Sequence, residues 1–207
     1  MGDRFERGRD GRSTNLPSGS GVPAWLAASL NFCSRCGSPL RFGAVPGEER
    51  DRLACAACSH VAYVNPRLVV TVFPITDAGE IVLIRRGIEP GRGRWAQPGG
   101  FLEVDETVNQ AAIRETWEET GLLVEPGEIL GLYTRLEAAV VTIAFEARIV
   151  GGTAMPTPEA TEIQAFAPEA LPWSVIAFDT TKWALRDWLA LRRPEVDPGS
   201  WSPSADG

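Results

Sequence analysis

The chain has 207 residues, 44% of them hydrophobic, and a formal net charge of -7. That length holds one ordinary domain plus a small module, and that hydrophobic content excludes wholesale disorder. The acidic balance speaks against sequence-independent nucleic-acid binding, which needs a basic surface, and no apolar run approaches the length of a membrane span.

Residues 1–30 mix Asp3, Glu6 and Asp10 with arginine, glycine and serine, and lack the charged-then-apolar order of a signal peptide. A disordered N-terminal tail is expected there, and a cytoplasmic location is the default. Residues 31–64 carry all four cysteines as two CxxC pairs, Cys33-Ser-Arg-Cys36 and Cys55-Ala-Ala-Cys58. Two such turns bring four thiolates to one ion, at a spacing in the zinc-ribbon range. Two disulfides or four free thiols are the competing readings, and a reducing cytosol disfavours the first. Four thiolates close the zinc shell, so the ion is expected to be structural. His60 is the chain's one histidine and a weaker ligand candidate, and its isolation removes serine–histidine and cysteine–histidine catalysis.

Residues 65–193 form a continuous mixed segment. Strands are expected over Leu68 to Ile75 and Glu80 to Arg85, joined by the Asp77-Ala78-Gly79 turn into a hairpin. Gly87 to Gly100 is expected as loop. Glu106 to Thr120, free of Gly and Pro and followed by Gly121, predicts a helix. Further strands are expected over Ile129 to Leu136, Val140 to Val150 and Ile163 to Phe166. Asp179 is expected to cap a last helix over Thr180 to Arg192. Strands and helices do not alternate strictly, which points to an α+β sheet packed between helices. Residues 194–207, with Pro194, Pro198, Gly199 and Pro203, read as a disordered C-terminal tail.

The informative stretch runs from Gly100 to Leu122. At about 100° per residue, Val108, Ala111, Ala112, Glu115 and Glu119 share one stripe, with Glu118 at its edge. The stripe starts small and apolar and turns acidic. Glu115, Glu118 and Glu119 stand at i, i+3 and i+4, so their carboxylates are expected to converge. Repulsion on such a face is relieved by a divalent cation, and oxygen-only ligands favour magnesium, manganese or calcium over zinc. A solvated charged face is the bland alternative.

Gly100, Glu106, Arg114, Glu115, Glu118, Glu119 and Gly121 stand at the spacing of the Nudix box, and the stretch resembles that motif. Thr116 departs from it, standing where the family has an aliphatic residue. The resemblance extends over residues 31–190 to Nudix hydrolases with an N-terminal zinc ribbon. Asn31-Phe32-Cys33, Pro46-Gly47-Glu48-Glu49, Tyr63, Asn65-Pro66 and Trp95 with Pro98-Gly99-Gly100 carry it. Leu171 to Phe178 is similar to a plant-type branch that hydrolyses FAD and ADP-ribose. The Ser-Gln-Pro-Trp-Pro-Phe-Pro signature of NADH pyrophosphatases does not occur.

The resemblance implies a Nudix α/β/α sandwich with a mixed sheet over 65–193, preceded by a small zinc ribbon. It implies Mg- or Mn-dependent hydrolysis of the diphosphate bond of a nucleoside diphosphate derivative, releasing two monophosphates. Glu115, Glu118, Glu119 and the Gly99 carbonyl become metal ligands, and Glu106 and Arg114 brace them. A further carboxylate is expected from outside the box, with Glu162 the first candidate and Glu159 the second. Arg85 and Arg86 are candidates for phosphate contact or for plain solvent exposure. Trp95 and Phe178 are candidates for stacking on a base or for the core. A homodimer is common among such relatives. Other readings are an NADH or NAD-cap pyrophosphatase, and a non-catalytic nucleotide-sensing module. A purely structural zinc protein leaves the acidic helix unexplained.

Overall fold

The computed structural model describes residues 22–27 and 29–197. The chain falls into two compact units, the first running to Pro66 and including Leu136–Ala139, the second made of Arg67–Arg135 and the chain from Val140.

The first unit holds an antiparallel sheet of three short strands: β1 (Leu40–Gly43), β2 (Arg52–Cys55) and β3 (Val61–Ala62). Its core is Cys33, Leu40, Leu53 and Cys55. Residues 22–27 and 29–30 depart from the expected disordered tail. They contain one helical turn, α1 (Ala24–Ala27), and Val22 and Leu30 pack against that core, which needs the extra apolar cover. Residues 1–21 lie outside the described residues.

The second unit is a mixed sheet between two helices. Its strands are β4 (Arg67–Ile75), β5 (Ile81–Arg86), β6 (Trp95–Ala96), β7 (Gly99–Phe101), β8 (Leu122–Arg135), β9 (Val140–Gly152) and β10 (Ala160–Phe166). The long strands run in the order β10-β5-β4-β9-β8, with β4 and β9 parallel and the other neighbours antiparallel. Alternation along the strands sorts side chains into two cores. Val70, Val72, Ile143 and Phe145 pack beneath α2 (Val108–Thr120), with Ala111 and Ala112. Phe73, Leu83, Tyr133 and Ala144 face the other way, toward Ala184, Leu185, Trp188 and Leu189 of α3 (Asp179–Arg192). Among the described residues no helix is long and apolar enough to cross a membrane.

Four elements differ from expectation. Residues 87–100 are not all loop: β4 and β5 pair at Ile75–Ile81, then β6 adds to β5 and β7 to β4. The edge strand β8 begins at Leu122, seven positions early, because an edge tolerates Pro126 and the bulges around Ile129. Helix α2 begins at Val108, with Thr107 and Gln110 in a reciprocal capping box. Asp179 does not cap α3. The cap position is Phe178, without a side-chain bond, while Asp179 sits in the first turn paired with Lys182 at 3.2 Å. Beyond α3, residues 194–197 form a turn in which Val196 packs on the core, and residues 198–207 lie outside the described residues.

Candidate functional site

Two places concentrate chemistry-bearing side chains: the cysteine cluster in the first unit and one flank of α2 in the second.

In the first unit all four cysteines are free, and their sulfurs lie within 4.8 Å of one another. Cys33 Sγ is 3.7 Å from Cys58 Sγ, and Cys36 Sγ is 3.5 Å from Cys55 Sγ. A tetrahedral zinc with ordinary Zn–S bonds places its sulfurs about 3.8 Å apart, so the donor set fits that ion. The two turns are alike: Gly37 N–H donates to Cys33 O, and Ser59 N–H to Cys55 O. Both Gly37 and Ser59 have positive φ. His60 is outside the cluster, and its carbonyl accepts from Cys55 N–H at 2.9 Å. Cys36 is held down to about 6, mainly by the backbone and side-chain donors of Ser38. Cys58 receives a lowering bond from the His60 backbone, but contact with Cys36 and burial push it up to about 12. Metal-free, the cluster therefore keeps a proton that a cation must displace.

In the second unit, Glu115 and Glu119 lie on the flank of α2 that faces β7. Glu119 is 7% exposed and accepts the Gly99 N–H at 2.7 Å. Burial pushes its carboxyl up to about 7; the Gly99 bond and the Arg86 charge oppose this, while the Glu115 and Glu159 charges add to it. Burial likewise raises Glu115 against the pull of Arg114. Two neighbouring carboxylates that burial burdens, offering only oxygen donors, fit a hard divalent cation.

Among the described residues the carboxylates of Glu115, Glu118 and Glu119 do not cluster as the four cysteines do. Arg114 stands among them, bonded to Glu106 at 2.5 and 2.9 Å, Glu115 at 2.6 Å and Glu118 at 3.1 Å. Its fork also donates to Phe101 O at 3.1 Å, while Glu106 accepts Glu103 N–H at 2.9 Å. The pair thus ties loop 101–107 to the helix, and Arg114 holds Glu106 down to about 2. Thr116, the departure from the motif, is fully buried and satisfied by Ala112 O at 2.7 Å.

Gly99 lets β7 lie against β4, and Gly100 lets Glu115 of α2 approach. A Cβ on Gly99 would stand 2.2 Å from Val70 O, and one on Gly100 would stand 2.5 Å from Glu115 Oε1. Gly99→Ala is expected to cost about 3 kcal/mol or more, because the obstructing atom is backbone inside the sheet. Urea unfolding measures the loss.

The candidates outside the box separate. Glu162 pairs with Arg85 at 3.1 Å, and Arg85 also donates to Gly93 O at 3.0 Å. Both are engaged in holding β10 on β5. Glu159, in the turn before β10, is the carboxylate from outside α2 whose charge acts on Glu119. Arg86 acts on Glu119 too; it donates to Pro90 O at 2.8 Å and lies 5.0 Å from the Phe178 ring. Glu159 and Arg86 are thus the members of the two pairs whose charge reaches Glu119. Sequence spacing could not choose, because the bulge between Ala160 and Glu162 reassigns positions in β10. Trp95 belongs to the core: it is 7% exposed, edge-on to Phe166 at 5.0 Å. Phe178 is half-buried beside Arg86.

Comparison with known proteins supplies the context. The family model described as NUDIX domain matches residues 65–191, and the one described as Nudix N-terminal matches residues 31–64. The crystal structure of a NUDIX hydrolase from Nitrosomonas europaea is 31% identical with a TM-score of 0.74, covering 80% of this chain and 94% of that one. An ADP-ribose pyrophosphatase of Methanocaldococcus jannaschii is 34% identical over 131 residues, 61% of this chain and 75% of that protein. An NAD-capped RNA hydrolase NudC of Deinococcus radiodurans is 30% identical over 192 residues, 88% of this chain and 67% of that protein. A MutT-like protein of Streptomyces ambofaciens matches over 60% of its own length. The chain therefore spans between 60% and 75% of these curated relatives. None of these three is described as a plant-type FAD hydrolase, so the resemblance holds for the family and its ribbon.

Proposed function

The chain belongs to the NUDIX family and carries that family's N-terminal zinc ribbon, and from this premise we propose that it hydrolyses the diphosphate bond of a nucleoside diphosphate derivative, ADP-ribose or FAD first. The observation that carries the reading is the α2 flank, where buried Glu119 and half-buried Glu115 lie beside Gly99 and Gly100 with Arg114 bracing Glu115. Glu115, Glu118, Glu119 and the Gly99 carbonyl hold magnesium or manganese in this reading. When bound there, the cation supplies neutralisation of the diphosphate and a more acidic water. Glu159 replaces Glu162 as the candidate for taking that water's proton, because it is the one whose charge reaches Glu119. No covalent nucleophile is needed, since phosphoryl transfer rests on positioning and charge stabilisation.

Arg86, whose charge reaches Glu119, is preferred to Arg85 as the phosphate contact in this reading, since Arg85 is ion-paired with Glu162. Arg86→Ala is expected to raise KM for ADP-ribose roughly tenfold, the worth of one charge-assisted bond, and Arg85→Ala to raise it less. Steady-state kinetics on the two variants decide this.

A second reading is hydrolysis of NADH or an NAD-capped RNA end. The NudC relatives, which align across the ribbon as well, favour it. The missing Ser-Gln-Pro-Trp-Pro-Phe-Pro signature weighs against it. Incubation with ADP-ribose, FAD, NADH and NAD-capped RNA, with magnesium or manganese and chromatography of products, ranks the substrates. No turnover of any of them by folded, zinc-loaded protein overturns the hydrolase reading.

A further inference from the structure

Thr71 Oγ1 and Gln97 Oε1 are buried side-chain oxygens without a hydrogen-bond partner. Gln97 is 5% exposed and Thr71 8%. Native proteins rarely leave such atoms unpaired, because burial removes their water without replacing it. Both belong to the crease where β4 and β5 splay apart. Gln97 sits between β6, which pairs with β5, and β7, which pairs with β4, and Thr71 is the register partner of Gly99. The backbone around Gln97 is pinned. Pro98 O accepts from Val72 N–H at 2.9 Å, and Gly99 N–H is held by Glu119.

Phe101 extends the same surface. It is the register partner of Val69 and so lies on the face of Thr71, with its ring 44% exposed and the Arg67 guanidinium 4.4 Å from its centroid. An exposed ring accepts any base by stacking. A glutamine amide presents an acceptor beside a donor, the complement of adenine's 6-amino group and neighbouring ring nitrogen. We propose that Gln97 and Thr71, with Phe101 as the stacking surface, form a subsite that reads the 6-amino edge of adenine. The proposal deepens the function given above and rests on it. Gly99 links the two sites, holding Glu119 through its N–H and standing opposite Thr71 in the sheet.

The test compares kcat/KM for ADP-ribose, its hypoxanthine analogue IDP-ribose, and the analogue lacking the adenosine 2′-hydroxyl. The forms are wild type, Gln97→Leu and Thr71→Val. Each replacement removes an unpaired buried oxygen at similar volume, so both are expected to fold, and thermal melts verify it. Wild type is expected to favour ADP-ribose over IDP-ribose roughly 10- to 100-fold, the worth of a bidentate pair. Gln97→Leu brings that ratio near unity by losing rate on ADP-ribose alone, and Thr71→Val narrows it. An unchanged ratio in Gln97→Leu overturns the proposal, and so does an effect confined to the 2′-deoxy substrate. Calorimetry of AMP and IMP on wild type gives an answer independent of the variants, with equal affinities overturning it. Turnover of all three substrates without discrimination sinks this subsite alone, whereas turnover of none sinks the hydrolase reading beneath it.

Discussion

Glu119→Gln is expected to reduce kcat roughly a thousandfold, about 4 kcal/mol of transition-state stabilisation, while making the metal-free protein more stable at pH 8. The two effects share one cause. Glu119 is 7% exposed, and burial raises its carboxyl from 4.5 to about 7. A raised folded-state value means that the folded protein prefers the proton. The cost is absent below the unfolded value, grows as pH rises past it, and is complete above about 7. It amounts to about 3 kcal/mol at pH 8. Glutamine keeps an acceptor for the Gly99 N–H and carries no charge, so it removes the cost and the cation's ligand together. Denaturant unfolding at pH 4.5 and pH 8, in buffer freed of magnesium and manganese with zinc retained, reads the difference. The variant should exceed wild type at pH 8 and match it at pH 4.5. Added magnesium should stabilise wild type more at pH 8 than at pH 6 and leave the variant unmoved. A variant no more stable than wild type at pH 8 would show that burial does not burden this carboxylate.

The box was legible because its chemistry is local: one helix, one spacing, one glycine stop. The start of α2 was legible too, in Thr107 and Gln110, although the glutamates drew the boundary two residues early. What spacing does not carry is competition for partners. Arg114 binds Glu106, Glu115 and Glu118, so carboxylates that share a helical stripe are engaged by an arginine that the wheel does not show. Neighbours in sequence part company for a similar reason. Arg85 and Arg86 are adjacent on β5, yet strand alternation sends one to Glu162 and the other toward Glu119 and Phe178. Glu159 and Glu162 divide across a bulge, which leaves no mark in composition. Trp95 has the aromatic character of a stacking residue, but its register opposite Arg85 turns it into the α3-side core. Long-range pairing decides each of these, and a single sequence does not display it.

Removal of zinc from the cysteine cluster is expected to unfold the first unit outright. Its sheet has strands of four, four and two residues, and its buried hydrophobic core is Leu40 and Leu53 with two of the cysteines themselves. A core that small does not offset the chain entropy of ordering the segment. Surface pairing adds little: Glu48 accepts from Tyr63 OH at 2.6 Å and from Arg52 at 3.0 Å, in a clip open to solvent. A four-thiolate zinc site contributes on the order of 10 kcal/mol, several times what the rest of the unit supplies. Cys33→Ser, which removes a buried ligand, should therefore release the metal and collapse the amide NMR dispersion of residues 31–64. Colorimetric zinc titration follows the first event and the NMR spectrum the second. Zinc affinity should also climb with pH, because the Cys58 thiol, pushed up to about 12 in the metal-free cluster, must lose its proton to bind. Retention of native dispersion after complete zinc removal would mean that the thiols are held by packing alone, and the cluster would then be a product of the fold rather than its cause.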